Sequence, residues 1–151
     1  QKEGDSMREE LKNFKEEVEK LQENSILSMS NWWGFYNPGE AGTIITKDKK
    51  IYFYTFYLRQ TPILEQDHIP LESMSDGYTL SDQDYDKIIQ FIEQEIKNKS
   101  YEFRQVHDSG NRVFGFYKDE HFQYPNCYDS NTGESLYHKL QKLIKSFDIE
   151  R

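Results

Sequence analysis

The chain has little cysteine, no long apolar run and few hydrophobic residues, and each scarcity excludes a class of protein. Its one cysteine, Cys127, cannot form a disulfide within the chain. No apolar run approaches the roughly 18 residues that a membrane-spanning helix needs. Only 35% of the 151 residues are hydrophobic, and the mean hydropathy is -0.96. The sequence therefore predicts no membrane association.

The length of the chain fits one domain with a core of its own. A single thiol and no visible signal peptide predict a cytoplasmic protein. A processed or secreted form stays open, because the chain begins with Gln1 instead of methionine. We expect residues 1–6 to be a disordered or cloning-derived tail, and residues 7–151 to form a single domain.

Basic residues are outnumbered, and the imbalance is local. The chain has 19 Lys and Arg residues against 27 Asp and Glu residues, a net charge of -8. The segment 65–95 alone contains nine acidic residues and one basic residue. Such a segment repels phosphate, so nucleic acid is excluded as its partner and a basic protein is favoured. Candidate contacts are Asp67, Glu72 and Asp76; the alternative is a charged surface that only aids solubility.

Aromatic residues compensate for the scarcity of aliphatic ones. Nine of the 23 aromatic residues lie between Trp32 and Tyr57. Side chains alternate along a strand, so Trp32 and Trp33 are predicted to face opposite ways, while Tyr52 and Tyr54 share a face. We expect part of this run to be core. One tryptophan with Tyr52 and Tyr54 would then form a surface for a protein, a small ligand or a sugar.

The first predicted helix spans residues 7–24 and has a narrow apolar seam. The capping pattern Ser6-x-x-Glu9 marks its start. Seam residues recur at spacings of four and three, which suits either packing on the domain itself or pairing with a second copy as a homodimer. These residues are Met7, Leu11, Phe14, Val18 and Leu21.

The remaining elements predict an α+β fold in the order α-β-ββ-α-ββ-α. We expect an antiparallel sheet of four to five strands, with the helices packed mainly on one face. One helix is predicted at 82–98, with Ser81 as its N-cap, and another at 134–147. The first strand is predicted at 32–36. Two hairpins are predicted after it: strands 43–46 and 51–58 form the first, and strands 101–107 and 112–118 form the second, with its turn at 108–111. Residues 121–128 are predicted to be a loop.

Catalysis has one fallback candidate, a cluster of His107, Asp108, His121 and Cys127. A cysteine nucleophile needs a nearby base and a lowered pKa, which a histidine beside Cys127 would supply. No short ligand spacing such as His-x-x-x-His or Cys-x-x-Cys is present, so the sequence predicts no metal site and no cofactor.

Together these features predict a small acidic domain that binds a protein, such as an inhibitor or an immunity-type antagonist of a basic partner. The first alternative is a module that binds a small ligand or a sugar on the aromatic strand. A small hydrolase that uses the histidine and cysteine cluster is the less favoured alternative.

Overall fold

The computed structural model describes residues 2–34, 39–57, 72–97, 100–106 and 109–149, with the α1 side chains described at Glu9 and from Lys12 onward. This part of the chain forms an α+β fold, as predicted. Its helices are α1 (Lys2–Glu23), α2 (Asp82–Phe91) and α3 (Leu136–Lys145). Its strands are β1 (Ser25–Trp33), β2 (Gly39–Thr46), β3 (Lys50–Tyr57), β4 (Glu72–Met74), β5 (Tyr78–Thr79), β6 (Tyr101–Phe103), β7 (Ser109–Tyr117), β8 (Glu120–Pro125) and β9 (Cys127–Asp129).

The main sheet is antiparallel and has seven described strands, more than the four to five predicted. The strand order is β4-β3-β2-β1-β7-β8, and β5 pairs with the other end of β3. Strands β6 and β9 form a separate two-stranded ribbon. The additional strands are short or fall in residues 121–128, which were predicted to be a loop.

The first predicted hairpin is confirmed, and β2 begins four residues earlier than predicted. Strand β2 pairs with β3 from Gly39 opposite Tyr57 to Ile45 opposite Ile51. The first strand lies earlier than predicted, because β1 begins at Ser25 and ends at Trp33. Phe35 and Tyr36, the end of the predicted strand, lie outside the described residues.

The second predicted hairpin is wrong. Strand β7 pairs with β8 through a turn at Lys118 and Asp119, and β6 pairs with β9 instead. Both turn residues have positive φ, 49° and 63°, which is the geometry of a tight type I′ turn. Gly110, predicted to be in the turn, lies in β7 opposite Trp32. A Cβ atom on Gly110 would collide with the Trp32 indole ring, so this glycine serves ring packing instead of a turn.

Strand β3 is covered on both sides, because its apolar residues alternate between two cores. Ile51 and Phe53 pack in the larger core, with the buried residues of α2 and α3. Tyr52, Tyr54 and Phe56 pack in a smaller core with α1. We call these sides the α2/α3 face and the α1 face. Two helices therefore share one face of the sheet, and α1 covers the other.

Helix α1 packs on its own sheet through part of its apolar seam. Phe14 and Val18 are buried against Ile44 and Tyr54, and Leu21 packs beside them. The helix begins at Lys2, five residues before the predicted start, so most of the predicted tail is helical. The side chains of Met7 and Leu11, the other two seam residues, lie outside the described set.

Helices α2 and α3 close the opposite face. Ser81 caps α2 as predicted, because its Oγ accepts a hydrogen bond of 3.1 Å from the Asp84 N–H. The predicted helix 82–98 changes after Phe91 into a π-helical turn, Ile92–Ile96. Helix α3 is shorter than predicted and begins after Ser135, whose Oγ accepts from the His138 N–H at 3.0 Å.

Two serines on β1 provide a matched test of the packing under α1. Both point to the α1 face, and their exposed fractions are 1% for Ser28 and 0% for Ser30. The Ser28 hydroxyl donates to the Thr43 carbonyl at 3.0 Å. Within the described part of the chain, no group pairs with the Ser30 hydroxyl.

We therefore expect different effects from the same substitution at these two serines. Ser28→Ala should lower the free energy of unfolding by about 1 kcal/mol, because it removes a satisfied buried hydrogen bond. Ser30→Ala should leave this free energy unchanged or raise it by up to about 1 kcal/mol. The substitution removes a hydroxyl that lost its water on folding and gained no hydrogen bond in return. Urea unfolding measures both values, and equal losses would contradict the described packing.

Candidate functional site

The two tryptophans lie on opposite faces of the sheet, so they do not form one site. Trp32 is half-buried on the α1 face, where its ring covers Gly110 of β7. Trp33 is half-buried on the α2/α3 face, beside Gly39 and Tyr57. The predicted alternation therefore holds in the register of β1.

One row of side chains on the α1 face combines aromatic rings with carboxylates. The strand register aligns Trp32 with Glu40, Glu40 with Phe56, and Phe56 with Glu72 across four neighbouring strands. Glu72 is exposed, and the other three residues are half-buried. We call Trp32, Glu40, Phe56 and Glu72 the acidic–aromatic strip. It includes two of the predicted binding residues, Trp32 and Glu72.

Tyr54, another predicted binding residue, lies under the strip and holds one of its carboxylates in place. It is only 2% exposed. Its hydroxyl donates to Glu40 Oε2 at 2.6 Å and accepts from Gln22 Nε2 of α1 at 3.1 Å. Burial, together with the charge and hydrogen bond of Glu40, raises the pKa of Tyr54. Tyr54 thus stays protonated and supports the strip from below.

The other predicted binding residues are less closely joined to the strip. Tyr52 is half-buried on the same face, and its ring packs over Gly77. Asp76 is exposed in the neighbouring turn. Asp67 lies outside the described residues.

Cations lie on the other side of Trp32, over strand β7. The Arg112 guanidinium stacks on the Phe114 ring at 4.2 Å, and Lys47 Nζ lies 4.7 Å from the centre of the Phe116 ring. No group in the described chain pairs with the buried Arg112 Nε. The α1 face is therefore polarised, with carboxylates on β2 and β4 and cations over β7.

The described part of the acidic segment, residues 72–95, does not form one continuous acidic surface, because much of its charge is paired within the chain. Asp82 lies 2.9 Å from Lys49, and Glu93 lies 2.9 Å from Lys118. Hydrogen bonds from Lys118 and Tyr117 hold the pKa of Glu93 below its usual range. The acidic surface available to a partner is consequently smaller than the composition of this segment indicates.

A buried ion-pair cluster, which the sequence did not predict, lies between α3, the π-helical turn and the β6–β9 ribbon. Lys139 Nζ lies 2.6 Å from Asp129 Oδ2 and 3.2 Å from Glu95 Oε2. The side chains of Lys139 and Asp129 are 11% and 2% exposed. Tyr101 joins the cluster by donating to Glu95 at 3.3 Å. No local sequence pattern relates these four positions, because the tertiary fold alone brings them together.

The pKa values in this cluster follow from the pairing. Burial lowers the pKa of Lys139, but the hydrogen bonds to Asp129 and Glu95 outweigh it, so the pKa of Lys139 is raised. The Lys139 hydrogen bond and the Asn131 N–H hold the pKa of Asp129 at about 2. Burial, the leading cause, raises the pKa of Tyr101 to about 12. All of these groups keep their ordinary charge near neutral pH, which is typical of a structural cluster.

The predicted catalytic cluster does not gain support from the described residues. His121 is exposed on β8 and lies 5.1 Å from the Phe116 ring, measured between ring centres. Cys127 is buried on β9, and its thiol donates to the Pro125 carbonyl at 3.3 Å. Burial raises the pKa of Cys127, which is the reverse of what a thiolate nucleophile requires. His107 and Asp108 lie outside the described residues.

A cleft lies between α3 and the strands β1, β2 and β3, on the α2/α3 face of the sheet. Its volume is about 270 Å³. The lining residues are Met29, Ala41, Gly42, Thr43, Phe53, Tyr54, Thr55, Tyr137, Gln141, Ile144 and Lys145. The aromatic strand β3 thus lines a cavity. Neither tryptophan nor Tyr52 lines it, and the Tyr54 side chain packs on the opposite face.

Neither a group of metal ligands nor a membrane-spanning helix is found among the described residues. No three His, Cys, Asp or Glu side chains among them are grouped so that they could bind a metal ion. None of the described helices combines the length and apolar character needed to cross a membrane. Comparison with known proteins finds no matching family, no matching curated sequence and no matching solved structure.

The Asp129–Lys139 pair predicts a specific loss of stability in acid. Because the folded pKa of Asp129, about 2, is below its ordinary 3.8, the pair stabilises the fold fully above about pH 4. This contribution should disappear as the pH falls from about 4 towards 2. Carboxyl carbon NMR of Asp129 should give a midpoint near pH 2.

A pair of lysine substitutions on α3 tests the same cluster. Lys139→Met leaves the buried Asp129 carboxylate without its cation, so Tm should fall by about 5–10 °C. The control Lys142→Met removes an exposed lysine that pairs with Glu134, and Tm should change by less than about 2 °C. Equal changes would show that the Asp129–Lys139 pair does not stabilise the fold.

Proposed function

We propose that this chain is a binding domain that docks onto a basic surface of another protein through the acidic–aromatic strip. The observation that carries the proposal is the row of Trp32, Glu40, Phe56 and Glu72 on four neighbouring strands. An inhibitor or an immunity-type antagonist of a basic protein is the kind of molecule that fits this surface.

The chemistry of the strip suits lysine and arginine side chains. Carboxylates form charge-assisted hydrogen bonds with guanidinium and ammonium groups. Aromatic rings attract the same cations over their faces and offer apolar area for their aliphatic stems. Neighbouring strands lie about 4.8 Å apart, so alternating carboxylates and rings can contact successive side chains of one basic segment.

Preorganisation and charge both favour such docking. The hydrogen bond from Tyr54 fixes the Glu40 carboxylate before a partner arrives, which reduces the entropy lost on binding. The net charge of -8 attracts a basic protein over a distance and speeds association. The cations over β7 orient the partner, because the same face would repel a basic group there.

The remaining parts of the proposal rest on fewer observations. A cytoplasmic location is supported by the free thiol of Cys127. A homodimer through α1 is less favoured, because Phe14, Val18 and Leu21 pack on the chain's own sheet. Nucleic acid is disfavoured as a partner by the overall charge.

A peptide titration followed by NMR tests the proposal before any partner is identified. A Lys- and Arg-rich peptide should shift the indole N–H signal of Trp32, while a Glu-rich peptide of equal length should not. Affinity for the basic peptide should fall as salt is raised from 50 to 300 mM, because the contact is electrostatic. Glu40→Gln should weaken binding about two- to fivefold.

Trp33 is the internal control, since it adjoins Trp32 in sequence and lies on the opposite face. Its indole signal should stay constant, and Trp33→Phe should bind the basic peptide with unchanged affinity. Equal shifts of both indoles, or an affinity that ignores salt, would count against docking through the strip.

A further inference from the structure

The cleft beside α3 has an apolar interior and a polar edge. Buried Met29 of β1 and Ile144 of α3 both line it. Phe53 and Ala41 of the sheet extend the apolar floor. Three polar side chains of α3 line the same cleft, namely Tyr137, Gln141 and Lys145.

We propose that this cleft binds a small carboxylic acid, with the apolar body on the sheet and the carboxylate at Lys145. The site lies on the α2/α3 face, opposite the acidic–aromatic strip. The inference therefore goes beyond the protein-docking proposal and does not depend on it.

The charges along α3 select the anion. Lys139 and Lys142 point away from the cleft and are paired, with Asp129 and Glu134 respectively. Lys145 lines the cleft, and no described carboxylate lies within ion-pair distance of it. No acidic side chain is among the lining residues. The cleft thus offers one cation without a counterion from the described chain, which complements a carboxylate and disfavours an amine.

Neighbouring groups can complete the recognition of the carboxylate. The Gln141 amide can donate through its NH₂ group, and the Tyr137 hydroxyl is a second possible donor. Burial raises the pKa of Tyr137, so this hydroxyl keeps its proton at neutral pH. In the last turn of α3, the Leu143 and Ile144 carbonyls accept hydrogen bonds from the N–H groups of Ser146 and Phe147.

The size of the cleft limits the ligand. A volume of about 270 Å³ lies just below the range of roughly 300–1,000 Å³ that is usual for pockets holding drug-sized molecules. A chain of about six carbons or a single ring with one carboxylate is the appropriate class. A nucleotide or a lipid with two chains is too large.

Titration of the intact chain with hexanoate, using hexanamide as a neutral control of the same shape, tests the proposal. Both are followed by nitrogen–proton NMR at constant pH and ionic strength. Hexanoate should shift the amide signals of Ala41, Thr55 and Gln141 saturably, and should bind at least about threefold more tightly than hexanamide, as an exposed ion pair predicts.

Two variants assign the contacts. Lys145→Met should weaken hexanoate about two- to fivefold and leave hexanamide unaffected, because only the ion pair is lost. The matched control Lys142→Met, an exposed lysine in the same last turn, should leave both affinities unchanged. Ala41→Leu should fill the floor and abolish the shifts from either compound.

The titrations distinguish a carboxylic-acid site from the alternatives. Saturable shifts at the cleft with hexanoate preferred over hexanamide support the proposal. Equal affinity for the two compounds overturns the role of Lys145 and the assignment of a carboxylic acid. Shifts that are absent, that do not saturate, or that persist unchanged in Ala41→Leu overturn the cleft as the site.

Discussion

Strand β3 imposes the constraint on which the rest of the structure depends, because it is apolar on both faces. Ile51 and Phe53 need cover on one side of the sheet, and Tyr54 and Phe56 need it on the other. A strand of this kind is stable only when both faces are excluded from water. The chain meets the requirement with α2 and α3 on one face and with α1 on the other. Because few residues are aliphatic, aromatic rings supply much of the smaller core.

Close ring packing on the sheet also explains where glycine occurs in the strands. A Cβ atom on Gly42 would lie 2.6 Å from the Tyr54 ring, and one on Gly39 would lie 2.6 Å from Trp33. Rings can thus lie across neighbouring strands, with Trp33 half-buried and Tyr54 buried. The same arrangement leaves Trp32 at the surface beside carboxylates, so the binding strip is a consequence of how the core is built.

Local patterns in the sequence predicted the elements whose signals are local. The alternation in β3 and the Ser81 cap of α2 both depend on neighbouring residues, and both appear in the structure. The second hairpin failed because Ser109-Gly110-Asn111 resembles a turn, whereas the actual turn, at Lys118 and Asp119, lacks glycine. The role of Gly110 depends on Trp32, which is distant in sequence and adjacent only in the fold.

In the candidate site, too, the sequence predicted what depends on neighbouring residues and missed what depends on the fold. Alternation alone placed Tyr52 and Tyr54 on one face and left open which tryptophan shares it. The strand register shows that Trp32 does. Alternation could not show that Tyr54 is buried under Glu40, since the partner of a side chain on another strand depends on register. The acidic segment was overestimated as a surface, because ion pairs such as Asp82 with Lys49 form only after folding. Composition gives the total charge of a segment, and the fold decides how much of it remains for a partner.

Helix α1 belongs to the domain and covers one face of β3. The most direct measurement is urea unfolding of Phe14→Ala, with Lys15→Ala, an exposed position on the same helix, as control. Phe14 is buried against the sheet, and its ring lies 6.0 Å from Phe56, measured between ring centres. We predict that Phe14→Ala lowers the free energy of unfolding by about 3 kcal/mol, as expected for a buried phenylalanine. A loss below about 0.5 kcal/mol, equal to that of the control, would contradict the claim.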